Sequence, residues 1–160
     1  MTPRGVSTLR AAAVMVAVIA LDQAVKAIVR SAIVRGGSED VLPFLKIVNV
    51  RNTGVAFSMF SGGGTLLVVF AVIATIALLG FFFAHAERPL AWLPTGLLLG
   101  GAIGNLIDRL SEGAVTDFVK FPGWPAFNVA DIAITLGVFA LLYVLEGPPR
   151  TAERQAAEAG

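Results

Sequence analysis

The feature that most constrains this chain is a long uncharged stretch between Arg51 and Glu87, which contains no aspartate, glutamate, lysine or arginine. Within it, the sequence from Thr65 to Ala84 is almost wholly apolar, and about 20 such residues suffice for a helix that crosses a bilayer. Over the whole chain, 56% of residues are hydrophobic and 14% are charged, whereas soluble domains are roughly one quarter charged. The sequence therefore predicts a membrane protein.

Three further apolar stretches predict three more spanning helices. We expect them at about Ser7 to Arg30, Leu90 to Ile107 and Phe127 to Leu145. The first contains charged residues in its second half, and we expect Lys26 and Arg30 to extend outward to the membrane surface. Four spans place both ends of the chain on one side of the membrane. The predicted fold class is thus an α-helical membrane protein with four transmembrane helices.

The segment between the first and second spans has a different composition. Around Phe44 to Val50, β-branched residues favour short strands, so we expect a β-rich segment at about residues 38–60. We predict one integral-membrane domain over residues 1–146, followed by a polar tail at residues 147–160.

Several chemistries are excluded by what the sequence lacks. Cysteine is absent and His85 is the single histidine, which excludes thiolate and multi-histidine metal sites. The net charge of +1 provides no basic surface for nucleic acid. A serine–lysine pair, such as Ser58 with Lys26 or Lys46, is conceivable, but no spacing favours it. We therefore expect chemistry that uses carboxylates and amides, without metal or cofactor.

Acidic and amide side chains gather at one side of the predicted membrane. An aspartate within a span costs about 2.5 to 3.5 kcal/mol, so each one suggests a function. The residues that the topology places at this side are Asp22, Asn52, Asn105, Asp108, Asp117, Asn128 and Asp131.

Two of the aspartates belong to a repeated Asn-x-x-Asp motif, formed by Asn105 with Asp108 and by Asn128 with Asp131. Residues three apart share a helix face, so each amide is predicted to donate a hydrogen bond to its own aspartate. Two neighbouring carboxyls in a poor dielectric share one proton, and such a pair can activate water and protonate a leaving amine.

Structural roles for these residues stay open at this point. Asp131 would be favoured at a helix N-terminus, Asp108 could pair with Arg109, and Asp22 could form an ion pair with Lys26 four residues later. By contrast, we interpret the small-residue series Gly96, Gly100 and Gly104 as a surface for close helix packing.

Five motifs, taken in order, resemble the lipoprotein signal peptidase family. They are Asp22-Gln23 with Lys26, Asn52-Thr53-Gly54-Val55-Ala56-Phe57-Ser58, Gly100-Gly101-Ala102-Ile103-Gly104-Asn105-Leu106-Ile107-Asp108-Arg109, Val115-Thr116-Asp117-Phe118 and Phe127-Asn128-Val129-Ala130-Asp131. Together they extend from the first predicted helix to the fourth.

This resemblance implies an aspartic endopeptidase of the bacterial inner membrane, with cytoplasmic termini and a small extracytoplasmic β-cradle between helices 1 and 2. It implies removal of signal peptides from prolipoproteins, with the cut just before the cysteine that carries diacylglycerol. Asp117 and Asp131 would be the catalytic pair. Substrate-binding or supporting roles would fall to Asp22, Lys26, Asn52, Gly54, Asn105, Asp108, Arg109 and Asn128.

The resemblance also sets expectations about partners. The expected partners are diacylglyceryl-modified prolipoproteins and membrane lipid, with no nucleic acid, and the protein is expected to act as a monomer. The segment Asn52–Phe57 would lie over the substrate. Two other functions remain as alternatives: a proton-coupled transporter that uses the same carboxylates, and a non-catalytic protein that binds lipid or peptide.

Overall fold

Four helices dominate the computed structural model, which describes residues 2–54, 63–85 and 88–146. The helices are α1 (Pro3–Ala32), α2 (Gly63–His85), α3 (Trp92–Glu112) and α4 (Val129–Glu146). Among the described residues, α1 and α4 are long and apolar enough to cross a membrane, and α2 contains a shorter apolar stretch, Val68–Ala84. The motif positions 55–58, the last part of the predicted β-rich segment and the tail at 147–160 lie outside the described residues.

Local signals in the sequence set the helix ends. Helix α1 begins after Thr2, whose hydroxyl accepts a hydrogen bond from the Gly5 amide at 3.2 Å, and Pro3 occupies the first turn, where its missing amide hydrogen has no cost. Helix α3 continues past the predicted end at Ile107 and stops at Gly113, which has a left-handed backbone (φ 72°). Asp108 and Arg109 therefore lie within the helix.

Helix α3 lies at the centre of the bundle because its glycines allow close approach on two sides. A Cβ atom at Gly96 would lie 2.6 Å from the Val14 Cβ of α1, and one at Gly101 would lie 2.5 Å from the Ala130 carbonyl oxygen of α4. These separations are too short for any side chain, so the predicted role of the small-residue series in close packing is confirmed.

A three-stranded antiparallel sheet lies beside one end of this bundle. Strands β1 (Ser38–Leu42) and β2 (Leu45–Asn52) form a hairpin between α1 and α2, which confirms the predicted strands. The third strand, β3 (Val115–Lys120), connects α3 to α4 and pairs with β2, with Val50 opposite Asp117. Because β2 and β3 are neighbours, the end of β2 lies beside Asp117.

Candidate active site

The Asp22 and Lys26 side chains, one turn apart on α1, are fully buried against α3. The Lys26 Nζ atom lies 2.7 Å from Asp22 Oδ2 and 3.1 Å from Asp108 Oδ2, and all three side chains are at most 1% exposed. The predicted outward extension of Lys26 is therefore wrong, since a carboxylate from the neighbouring helix meets the lysine inside the bundle. The alternative of an Asp22–Lys26 ion pair is confirmed.

Arg30 also turns toward the bundle instead of extending to the membrane surface as predicted. Its guanidinium donates to Thr116 Oγ1 at 3.2 Å and lies 3.7 Å from Asp108 Oδ1. We call Asp22, Lys26, Arg30 and Asp108 the ion cluster. Its formal charge is zero, because it contains two acids and two bases.

Asp108 joins the ion cluster to the sheet. Its carboxylate accepts hydrogen bonds from the Thr116 amide at 2.9 Å and from Gln23 Nε2 at 3.1 Å. Arg109 forms no ion pair with it among the described residues, and instead donates to the Asn105 carbonyl at 3.4 Å. The alternative in which Asp108 pairs with Arg109 is thus wrong.

The Asn105 side chain forms hydrogen bonds with residues outside its own helix, α3. Its Oδ1 accepts from Lys26 Nζ at 3.0 Å and from Asn128 Nδ2 at 3.1 Å, and its Nδ2 donates to Asp131 Oδ1 at 2.9 Å. The prediction that Asn105 donates to Asp108 is wrong. The two oxygens of Asp108 already accept hydrogen bonds, from Gln23 and from the Thr116 amide. The first Asn-x-x-Asp motif therefore connects α1, α3 and α4.

The second Asn-x-x-Asp motif forms a reciprocal cap at the start of α4. The Asn128 amide donates to Asp131 Oδ2 at 3.2 Å, and the Asp131 amide donates to Asn128 Oδ1 at 2.9 Å. This arrangement has the geometry of a capping box, so Asp131 does stabilise a helix N-terminus. The Asn128 side chain also donates to Asp117 Oδ1, at 2.7 Å.

Asp117 lies on β3 with its carboxyl almost completely buried, at 2% exposure. Its second oxygen accepts from Asn52 Nδ2 at 3.0 Å. Burial, together with the nearby charge of Asp131, raises the pKa of the Asp117 carboxyl from 3.8 to about 6, against the lowering effect of the Asn52 and Asn128 hydrogen bonds. Asp117 thus holds a proton more tightly than an ordinary aspartate.

Gly54 fixes the orientation of Asn52. The Gly54 amide donates to Asn52 Oδ1 at 2.9 Å, and the glycine has a left-handed backbone (φ 72°) that other residues adopt only with strain. With Oδ1 occupied in this way, the Asn52 amide nitrogen is directed at Asp117.

We call Asp117 and Asp131 the carboxylate pair. Both are hydrogen-bonded to Asn128, and neither forms an ion pair within the part of the chain that the structure describes. In that same part, no group of three or more histidine or acidic side chains is arranged to hold a metal ion.

A cavity of about 330 Å³ connects Asp131 to the apolar interior of the helices. Arg109 and Asn105 line it at its polar end, while Leu98 and Ile134 continue it along α3 and α4, and Phe70 closes it from α2. Arg109 and Asp131 thus border the same cavity, and within the described part of the chain they form no direct ion pair.

All the site residues predicted from the sequence lie in one connected region. Sequence reasoning missed three members of the network: Gln23, Arg30 and Thr116. Arg30 had a detectable signal, since it follows Lys26 by one helical turn and so shares its face. Gln23 and Thr116 were part of the motifs that carry the family resemblance, beside Asp22 and Asp117, but they were given no role of their own.

These features are a helical bundle with apolar helices and a polar site in which amides hold two neighbouring carboxyls, and the fold is that of a bacterial membrane enzyme. The profile of the family described as "Signal peptidase (SPase) II" matches residues 14–146, and the chain belongs to that family. It is therefore a peptidase.

Individual relatives agree with this assignment. A lipoprotein signal peptidase of Rhodopseudomonas palustris is 44% identical over 121 residues, covering 68% of this chain and 73% of the relative. One of Brucella ovis is 41% identical over 140 residues, covering 83% and 86%. A solved bacterial membrane enzyme superposes with a TM-score of 0.79 at 35% identity, covering 88% of this chain and 92% of that one. None of these relatives supports the transporter alternative.

Proposed function

We propose that this chain is an aspartic endopeptidase in which Asp117 and Asp131 are the catalytic pair. The observation that carries the proposal is the position of Asn128, whose side chain donates to Asp117 while its backbone amide donates to Asp131. One rigid residue thus sets the relative position of two carboxyls from different elements, a strand and a helix. Paired carboxyls of this kind perform acid and base catalysis without a metal.

The two carboxyls have different roles in this mechanism. Asp117, whose burial raises its pKa to about 6, provides the proton, and Asp131, which is partly exposed and borders the cavity, is the base. Asp131 takes a proton from water as the water oxygen bonds to the peptide carbonyl carbon, and Asp117 gives its proton to the carbonyl oxygen. The carbon–nitrogen bond then breaks, the amine takes the proton from Asp131, and Asp117 recovers its own from the intermediate's hydroxyl.

The remaining site residues position this pair. Asn52, Asn105 and Asn128 hold the carboxyl oxygens, and Gly54 holds Asn52. Asp22, Lys26 and Asp108 anchor the asparagines by way of the Lys26 bond to Asn105. Arg109 borders the same cavity as Asp131 and would bind the substrate backbone there.

The substrate would be a prolipoprotein whose signal peptide is removed just before the cysteine that carries diacylglycerol. The relatives' name, lipoprotein signal peptidase, supports this substrate class. The cavity beside Asp131 offers apolar walls from Leu98, Ile134 and Phe70, which suits a peptide segment that stays in the membrane while its scissile bond meets the carboxyls.

The proposed topology has four spans within one domain over residues 1–146, with the polar tail at 147–160 beyond it. The termini would be cytoplasmic and the sheet would form a cradle on the extracytoplasmic side of the bacterial inner membrane, where prolipoproteins emerge. The active form would be a monomer within membrane lipid.

The test uses the purified full chain with a diacylglyceryl-modified prolipoprotein and with its unlipidated form. Asp117→Asn and Asp131→Asn should each lower the rate of cleavage by at least about a hundredfold, because each removes an acid–base group. Asp40→Asn is the matched control, since Asp40 is exposed and, among the residues that the structure describes, forms its ion pair with Lys46 on the sheet surface.

Two results would contradict the proposal. Cleavage that persists in either aspartate variant, with an unchanged melting temperature, would exclude the pair as catalytic. Equal cleavage of the lipidated and unlipidated substrates would leave the peptidase assignment intact but overturn the substrate class.

A further inference from the structure

A second cavity lies at the other end of the bundle, where the chain begins. It encloses about 1110 Å³ between the first turns of α1 and the turn that precedes α3. Arg10, on its α1 wall, is about 18 Å from Asp22 along the helix axis, at 1.5 Å per residue. This cavity, which we call the terminal cleft, is therefore separate from the carboxylate pair.

The terminal cleft gathers basic side chains in a chain that is nearly neutral overall. Arg4, Arg10 and Arg88 line it, and no acidic residue does so among the described lining residues. The chain as a whole has a net charge of only +1. Helices α1 and α3 both begin here, and neither has an acidic residue in its first turn, so their N-terminal dipoles add to the positive potential.

The cleft is also bordered by apolar groups suited to a bilayer surface. The Arg10 guanidinium lies 5.8 Å from the centre of the Trp92 ring, and Trp92 packs against Ala11 and Phe82. Leu90, which lines the cleft, is exposed. Tryptophan is enriched where a protein crosses the headgroup region, so Trp92 favours a position of this cleft at the membrane surface.

We propose that the terminal cleft binds the phosphate of an anionic phospholipid. A lipid is favoured over a soluble anion because Val6, Leu90 and Trp92 line the cleft next to the arginines and provide apolar contacts for acyl chains. Basic cavities between membrane helices bind anionic headgroups, and each arginine near the surface strengthens the attraction by about fivefold in affinity. The cleft would thereby fix α1 and α3 relative to the bilayer.

The experiment is native mass spectrometry of the full chain in detergent, titrated with phosphatidylglycerol or phosphatidylcholine. We expect tighter binding of phosphatidylglycerol, and Arg10→Gln and Arg88→Gln should each weaken it about fivefold. Arg35→Gln makes the same charge change on an exposed residue beyond the far end of α1, and it should leave binding unchanged.

A second measurement localises the lipid. With Trp124→Phe, Trp92 is the single tryptophan left of two, and phosphatidylglycerol with brominated acyl chains should quench its fluorescence more than brominated phosphatidylcholine does.

Three outcomes would overturn the proposal: equal binding of both lipids, unchanged binding in both cleft variants, or displacement of the lipid by inorganic phosphate, which would identify a soluble anion as the ligand. Because the readout is binding, it does not depend on the peptidase mechanism.

Discussion

Two pairs of aspartates lie at the same end of the bundle, yet they differ in the donors that surround them. Asp22 and Asp108 both contact the Lys26 ammonium, at 2.7 and 3.1 Å. Asp117 and Asp131 receive their described hydrogen bonds from backbone amides and asparagine side chains alone. The first pair is neutralised by a cation, and the second is held in place without one.

This difference lies in what compensates the burial of each carboxyl. Asp22 and Asp108 each contact a cation, whereas at Asp117 burial outweighs the hydrogen bonds from Asn52 and Asn128 and disfavours the charged form. Burial accordingly raises the pKa of Asp117 to about 6. The molecule thus holds two of its buried aspartates in an ion cluster, and a third, Asp117, beside the partly exposed Asp131 without a contacting cation among the described residues.

The connection between the two pairs passes through amides. Asn105 accepts from Lys26 of the ion cluster and donates to Asp131 of the carboxylate pair. The Lys26 ammonium therefore positions the carboxylate pair through Asn105 and not by direct contact.

The largest expected effect on stability is that of Lys26→Met, which tests the structural half of this comparison. The change leaves Asp22 and Asp108 buried with only Arg30 to oppose them, and removing one member of a buried ion pair costs about 3 to 5 kcal/mol. The melting temperature in detergent should fall steeply.

The double variant Asp22→Asn with Lys26→Met provides the matched control. It returns the ion cluster to a formal charge of zero, so it should recover part of the loss. If the single variant melts like the unchanged protein, the ion cluster does not have the structural role assigned to it.

A smaller effect is expected from the pH dependence of stability at Asp117. Its raised pKa means that the folded state binds the proton more tightly than the unfolded chain does. The resulting stabilisation is complete below the unfolded pKa of 3.8 and is lost as the pH rises through about 6. The full loss is on the order of 3 kcal/mol.

Asp117→Asn removes this titration. Relative to the unchanged protein, the variant should therefore be more stable at about pH 8 than at about pH 4, as measured by melting at both values. Comparing the two pH values cancels the cost of the hydrogen bond that the new amide loses to Asn52 or Asn128. Asp40→Asn, at an exposed ion pair, should show a difference below about 1 kcal/mol, and an equal response in both variants would contradict the burial of Asp117.

Much of the fold follows from the sequence because apolar length and glycine spacing act locally. The four apolar stretches predicted the four helices in order, and Gly96, Gly100 and Gly104 predicted the close approach of α1 and α3. Strand β3 was missed, although Val115, Phe118 and Val119 are typical strand residues, because a six-residue strand between two helices gives a weak signal.

The partners of the site residues were harder to predict than the residues themselves. Sequence spacing assigned Asn105 to Asp108, but the amide bonds Asp131 on another helix. Lys26 was placed outward because the sequence cannot show that Asp108 from α3 meets it. Spacing identifies which residues share a face, whereas pairing depends on which helices pack together.

The smallest expected effect concerns Gly54, and it tests how the carboxylate pair is held. Gly54→Ala strains a left-handed backbone by about 1 kcal/mol, which weakens the amide bond that directs Asn52 at Asp117. Gly113→Ala is the matched control, because Gly113 has the same φ of 72° and open space for a Cβ atom, but it caps α3 without contacting Asn52. Both variants should melt at similarly lowered temperatures. Only Gly54→Ala should lower kcat, by about fivefold. It should also raise the pH at which Asp117 titrates, because the Asn52 hydrogen bond lowers the pKa of Asp117. Equal kcat in the two variants would show that Asn52 does not act on the carboxylate pair.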